Sequence, residues 1–235
     1  MPVTIGPGWT IGPGWFVGGE DPIITAGLTM WVDAQNPASY SGSGTTWADL
    51  SGNSANLTLV NNPTYTSGSP AYFTFASAGS QSGTGSTPNV LPSTQYTKTV
   101  WFRLNSYADN NIVSSESGGH FMFFNSGSTM YCGHTNWPSY TAFPSTTTFS
   151  LNTWYYAAVT FNTTDGMKLY VNGTLNGTYT ANLSAHGGDG SVNVARFGAG
   201  NFMNGRVSEF YCYNTALNST QVLQNYNATK ARYGH

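Results

Sequence analysis

Leu169-Tyr170-Val171-Asn172-Gly173-Thr174-Leu175 is the stretch from which the fold is read. Asn-Gly between two apolar-alternating runs specifies a two-residue type I′ hairpin, because both central residues must accept positive φ and this turn matches the twist of the flanking strands. Residues 167–171 and 174–180 therefore read as antiparallel partners. Outward from this hairpin the same grammar repeats. Leu28, Met30 and Val32 alternate with Thr29, Trp31 and Asp33, the period-two pattern of a strand with one buried face. Short runs of similar kind follow at 57–60, 71–75, 98–104, 111–115, 120–124, 128–133, 154–161, 191–197 and 206–213, with Gly, Ser, Asn and Pro clusters between them. Such spacing predicts an all-β sandwich of two antiparallel sheets over residues 23–235.

One short helix is predicted near the C-terminal end. Asn218 caps it and Gln221 closes a capping box; Leu217 and Val222 form the hydrophobic staple across the cap. Val222, Leu223 and Tyr226 share the face expected to pack on the sandwich. The longest irregular segments are 76–97 and 133–152, and loops of that length in a compact domain are usually functional or interfacial. The second holds His134, Trp137, Tyr140 and Phe143, with Pro138 and Pro144 limiting its freedom.

Residues 1–22 differ from the rest. Thr4-Ile5-Gly6-Pro7-Gly8-Trp9 is followed at once by Thr10-Ile11-Gly12-Pro13-Gly14-Trp15, and Gly and Pro at these intervals preclude a helix. Burying one Trp is worth roughly 4–6 kcal/mol at about 25 cal/mol per Å². Ordering some 20 residues costs about 1–2 kcal/mol each, so the rings alone do not hold the segment down. Strand addition to a neighbouring sheet supplies the missing backbone bonds, and 1–22 reads as an extended docking arm anchored by Ile5, Trp9, Ile11, Trp15 and Phe16.

Composition narrows the function. Charged residues make up only 7% of the 235, leaving Ser, Thr, Asn and Gly to cover a surface that repels its own kind poorly and suits a homo-oligomer, such as a trimer. The seven Lys and Arg are scattered, which excludes the phosphate-neutralising patch of a nucleic-acid binder. No run approaches the roughly 18 apolar residues of a membrane span, and no secretory signal is visible, so synthesis in the cytoplasm is expected. Cys132 and Cys212 lie in strand-like runs; they read as buried thiols, or as a disulfide should their strands be neighbours. No Gly-x-Ser-x-Gly elbow exists, and His120, His134, His186 and His235 lack zinc-ligand spacing, so each reads as a surface or loop residue.

Several segments resemble a known family. Gly27-Leu28-Thr29-Met30-Trp31-Val32-Asp33-Ala34 with Ser43-Gly44-Thr45-Thr46-Trp47-Ala48-Asp49-Leu50-Ser51-Gly52-Asn53 resembles the opening of concanavalin A-like, laminin-G-like jelly rolls in bacteriophage structural proteins. Asn152-Thr153-Trp154-Tyr155 and Leu169 to Gly173 resemble its central strands, and Gly205-Arg206-Val207-Ser208-Glu209-Phe210-Tyr211 its closing strand. The tail from Val222 to Lys230 with Arg232-Tyr233-Gly234 is similar to the phage versions. The resemblance implies a virion location and a non-enzymatic structural role. The expectation is a capsid decoration (cement) protein whose arm binds capsid neighbours, the major capsid protein first among them. The alternative is a carbohydrate-binding tail or fibre protein that contacts host-surface glycans through His134, Trp137 and Tyr140. Glycanases of this fold place two glutamates on one strand; here Glu20, Glu116 and Glu209 stand far apart. Many relatives bind calcium at a Phe-Asp-Gly turn, but Phe73 to Gly79 carries no acid, so no cofactor is expected. Asp189 in Gly187-Gly188-Asp189-Gly190 is the single metal candidate, and the plainer reading is a turn-forming Asp.

Overall fold

A computed structural model describes residues 22–85, 90–116, 119–136, 139–181, 184–186, 191–198 and 200–235, with backbone alone at 135–136 and 139–141. The chain forms two stacked sheets. Sheet I runs β14 (Thr174–Tyr179), β13 (Gly166–Val171), β12 (Trp154–Asn162), β7 (Gln95–Leu104), β16 (Gly205–Tyr213), β5 (Tyr72–Phe75), β4 (Thr64–Thr66). β1 (Leu28–Asp33) also pairs with β16, in line with β5 along the same edge. Sheet II runs β11 (Ser139–Thr148), β10 (Thr129–Asn136), β9 (His120–Phe124), β8 (Asn110–Ser114), β15 (Val192–Val194), β6 (Ser82–Gly85), β3 (Leu57–Val60), β2 (Thr46–Trp47). Neighbouring strands are antiparallel throughout these described ladders.

Alternation along β7 shows how sequence becomes two faces. Tyr96, Val100, Phe102 and Leu104 point between the sheets, where they join Trp47, Phe73, Phe75, Phe124 and Phe149 in one core. Thr97, Thr99, Trp101 and Arg103 point to the outer face of sheet I. The hairpin between β13 and β14 is the one expected: Asn172 has φ 49° and Gly173 φ 76°. A Cβ on Gly173 would lie 2.9 Å from Leu223 and Tyr226, so close approach of the helix also requires glycine there.

That helix, α1 (Ser219–Lys230), begins with both bonds of the capping box, Gln221 N–H to Asn218 Oδ1 and Asn218 N–H to Gln221 Oε1, each 3.0 Å. It lies on the outer face of sheet I. Val222 is buried as expected, whereas Leu223 is 43% exposed, and the polar residues Asn225 and Thr229 are buried in its place. Both are satisfied: Trp101 Nε1 donates to Thr229 Oγ1 (2.8 Å), and Asn225 Nδ2 donates to the Tyr213 hydroxyl (2.9 Å). Tyr233, in a 3₁₀ turn after the helix, stacks on Trp101 at 3.8 Å. Beside it Arg232 pairs with Asp33 (2.7 Å) and Glu209 (3.4 Å), and Tyr211 and Tyr233 donate to Glu209 as well. Burial, reinforced by Asp33, pushes the Glu209 carboxyl up to about 7.

Two expectations change. Segments 76–97 and 133–152 are not irregular: the first contains β6 and the start of β7, the second most of the hairpin β10–β11. β11 reads Ser-Tyr-Thr-Ala-Phe-Pro-Ser-Thr-Thr-Thr, without clean alternation, and Pro144 is tolerated because β11 is the edge of sheet II. The cysteines are also settled. Cys132 is on β10 of sheet II and Cys212 on β16 of sheet I, so their strands are not neighbours, and both are buried free thiols. The arm anchors Ile5, Trp9, Ile11, Trp15 and Phe16 lie outside the described residues, as do Trp137 and Asp189.

Candidate functional site

The outer face of sheet II holds a trough of about 490 Å³. On β9, His120, Met122 and Phe124 point into the core, which turns Phe121 and Phe123 outward. Register sets Tyr131 of β10 opposite Phe123, and Gly133 opposite Phe121 and Ala142. The aromatic side chains therefore form a floor, and the small residues leave the space above it. Phe123 and Tyr131 are stacked, ring centres 5.5 Å apart and planes 24° apart, and both are half-buried. Phe121 meets Phe123 edge-on at 5.7 Å and is only 1% exposed.

The rim is polar and held by its own bonds. Asp109, Asn111, Asn125, Phe197 and Asn201 complete the lining. Asn111 Nδ2 donates to the Asn201 carbonyl (3.0 Å), joining β8 to the segment after β15. Ser126 Oγ donates to Asp109 Oδ1 (3.4 Å). Phe197 and Gly200 exchange backbone bonds of 3.3 and 3.1 Å across a tight turn that sets Phe197 at the edge. Asp109 is the one charged residue of the lining. A stacked aromatic pair flanked by amide and carboxylate groups can hold the apolar face of a polyol ring while its hydroxyls bond to the rim.

Of the residues expected to bind glycan, His134 falls elsewhere. His134 is 1% exposed, in the core end of β10, so it is closed to a ligand from solvent; this corrects its placement on a loop. Tyr140 lies on β11, its side chain outside what is described. The trough aromatics were missed because 120–124, His-Phe-Met-Phe-Phe, reads as a fully apolar strand. The available signal was that both faces of one strand carry rings, so one set needed a partner beyond the core.

The histidines also behave unlike isolated surface residues. His120, His134 and His186 gather inside the sandwich around Tyr96 and Lys98. Lys98 Nζ lies 3.2 Å from His120 Nδ1, whose Nε2 faces the Ser191 carbonyl at 2.9 Å. Burial lowers the three basic groups whose shifts are resolved: Lys98 to about 7, His134 to about 4, and His120 well below the ordinary range, the last two further depressed by their cationic neighbours. Among the described residues no group of three or more His, Cys, Asp or Glu is placed to hold a metal ion.

The sequence matches the Concanavalin A-like lectin/glucanases superfamily over residues 77–223. The chain belongs to that superfamily. No curated protein matches it. Among solved structures it is similar to the binding domain of Paraclostridial Mosquitocidal Protein 1 (17% identity, TM-score 0.68, 86% of this chain and 52% of that one). It is also similar to the binding domain of botulinum neurotoxin DC, solved in complex with rat synaptotagmin II (15%, 0.66, 86% and 52%) and with SialylT (15%, 0.67, 87% and 52%). The chain spans about half the length of those domains, and at these identities the likeness is one of fold. Among the described residues no helix is long and apolar enough to cross a membrane.

Proposed function

We propose that the chain is a lectin-like binding domain whose trough on sheet II takes a neutral saccharide of a host-surface glycan. The observation that carries this reading is the half-buried, stacked Phe123–Tyr131 pair in a trough also lined by Asp109, Asn111, Asn125 and Asn201. Sugars are recognised in this manner, with the ring face on an aromatic plane and the hydroxyls on amides and carboxylates. The superfamily includes lectins beside glucanases, and similar structures include the binding domain of botulinum neurotoxin DC in complex with SialylT and botulinum neurotoxin type C, whose cell entry depends on interaction with two ganglioside molecules. Binding rather than hydrolysis is favoured because the paired-carboxylate route needs two acids across the bond, and Asp109 is the lone carboxylate of the lining.

Calorimetry of the full chain against neutral and acidic host-surface oligosaccharides tests the reading. Phe123→Ala with Tyr131→Ala is expected to weaken neutral-sugar binding about ten-fold or more while the fold persists. Unchanged affinity in that variant would remove the trough from the account.

A virion setting completes the proposal and rests on the resemblance to phage jelly rolls. Within it, a capsid decoration role is favoured by the doubled hexapeptide 4–15 and its Trp9 and Trp15. Deleting residues 1–22 should abolish binding to empty capsids and leave glycan binding intact; retained capsid binding would discard the decoration role.

A further inference from the structure

The outer face of sheet I carries a row that the helix does not use. Trp154, Arg103, Arg206 and Thr74 stand opposite one another across β12, β7, β16 and β5. Two arginines thus stand directly opposite each other on adjacent strands, an arrangement that repels unless something neutralises it. Among the described residues neither has an acidic partner: the ion pairs there join Arg196 to Glu116, and Arg232 to Asp33 and Glu209. Arg103 Nη2 donates to Asn152 Oδ1 (2.9 Å), but the buried Nε atoms of both Arg103 and Arg206 have no hydrogen-bond acceptor. Burial and the neighbouring Arg206 push the Arg103 pKa below its ordinary value. The Arg206 guanidinium lies over the Tyr72 ring at 4.6 Å, and Tyr72 meets Trp154 at 5.6 Å, so half-buried rings border the cations.

We propose that Arg103 and Arg206 form an oxyanion-binding site on the outer face of sheet I, separate from the trough of sheet II. The guanidinium forks have donors left over and a mutual repulsion that a carboxylate, sulfate or phosphate would relieve, and arginine recognises such groups with paired bonds. Tyr72 and Trp154 suit a ligand that carries its charge on a ring, such as a sulfated or carboxylated sugar; free inorganic sulfate or phosphate shares the same chemistry. A nucleic-acid backbone does not fit, because it demands a track of cations and this row offers two.

The test compares the full chain with Arg103→Gln/Arg206→Gln and Arg206→Lys, each checked for its fold by circular dichroism. In dilute chloride the double glutamine variant should melt no lower than the parent, since a like-charge contact has been removed. Sulfate at matched ionic strength should raise the melting temperature of the parent beyond that of the double variant. Equal sulfate responses in the two proteins would overturn the site. If a sulfated or sialylated oligosaccharide binds the parent and loses about ten-fold or more in Arg103→Gln/Arg206→Gln, with Arg206→Lys between the two, the ligand is an acidic sugar; if inorganic sulfate and phosphate alone discriminate the proteins, it is the free anion. Tighter binding of a single-stranded oligonucleotide than of either would reject the assignment. Phe123→Ala/Tyr131→Ala should keep the sulfate response, which separates failure of this site from failure of the trough.

Discussion

Both sheets of the sandwich carry aromatic rows on their outer faces, but among the described residues only one row is covered. On sheet I, Trp101, Tyr156, Tyr211 and Tyr213 form a second apolar cluster closed by Leu217, Val222 and Tyr233. On sheet II, Phe121, Phe123 and Tyr131 floor a trough that no described helix crosses. The polar groups differ in the same sense. Beside the cover of sheet I, Arg232 pairs with Asp33 and Glu209 away from solvent, whereas the polar groups of sheet II line an open space. An aromatic strand face is thus structural where the chain supplies its own lid and available for ligand where it does not.

The sharpest way to break that contrast is to remove the cation beneath the lid. Arg232→Ala leaves the Asp33 and Glu209 carboxylates facing each other in a buried site, and losing one partner of such a cluster costs about 3–5 kcal/mol. Chemical denaturation should show that loss, while the fraction that remains folded keeps its sugar affinity. A loss below about 1 kcal/mol would mean the cluster is effectively solvated, as exposed pairs are.

Between the two faces, the interior histidines make stability depend on pH. From pH 6.5 down to about 4 the unfolded chain protonates His134 and His120, whereas the folded chain resists, so stability falls as acid is added. Lys98 acts at higher pH: from 10.5 down to about 7 only the unfolded chain takes its proton, a cost complete before the histidine window opens. Glu209 opposes the histidines, since its folded carboxyl keeps a proton up to about 7 and gains stability relative to the unfolded chain as pH falls toward 4.5. Two imidazoles oppose one carboxyl, so a net loss of stability is expected as pH falls across the window. His134→Asn should flatten the urea-midpoint profile between pH 6.5 and 4; an unaltered slope would exclude His134 as its source.

What the sequence disclosed follows the range of the interactions. The Asn172-Gly173 hairpin and the Asn218–Gln221 cap were legible because each is settled within four residues. β11 was not, since a Thr- and Ser-rich edge strand takes its identity from pairing with β10 rather than from its own alternation. The trough and the Arg103–Arg206 pair were hidden for the same reason. Phe123 and Tyr131 become neighbours only when β9 and β10 adopt one register, and Arg103 meets Arg206 only when a strand from the end of the chain inserts beside β7. His134 was misplaced because its loop assignment followed from the missed hairpin.

The smallest expected effect examines the lid itself. Asn218 Oδ1 accepts the Gln221 N–H and the Gln221 side chain returns the bond, satisfying two donors that the first turn would otherwise leave without intrahelical partners. Asn218→Ala should cost about 1 kcal/mol, the usual worth of a cap. Because Val222 and Tyr226 hold the helix on Trp101 and Tyr156, the cost should appear as faster amide exchange along α1 and around Tyr213, to whose hydroxyl Asn225 donates. Sheet II should be unmoved, its trough affinity included. Exchange that quickened equally in β9 and β10 would mean that the two outer faces unfold as one unit, and that a lid on one is felt by the other.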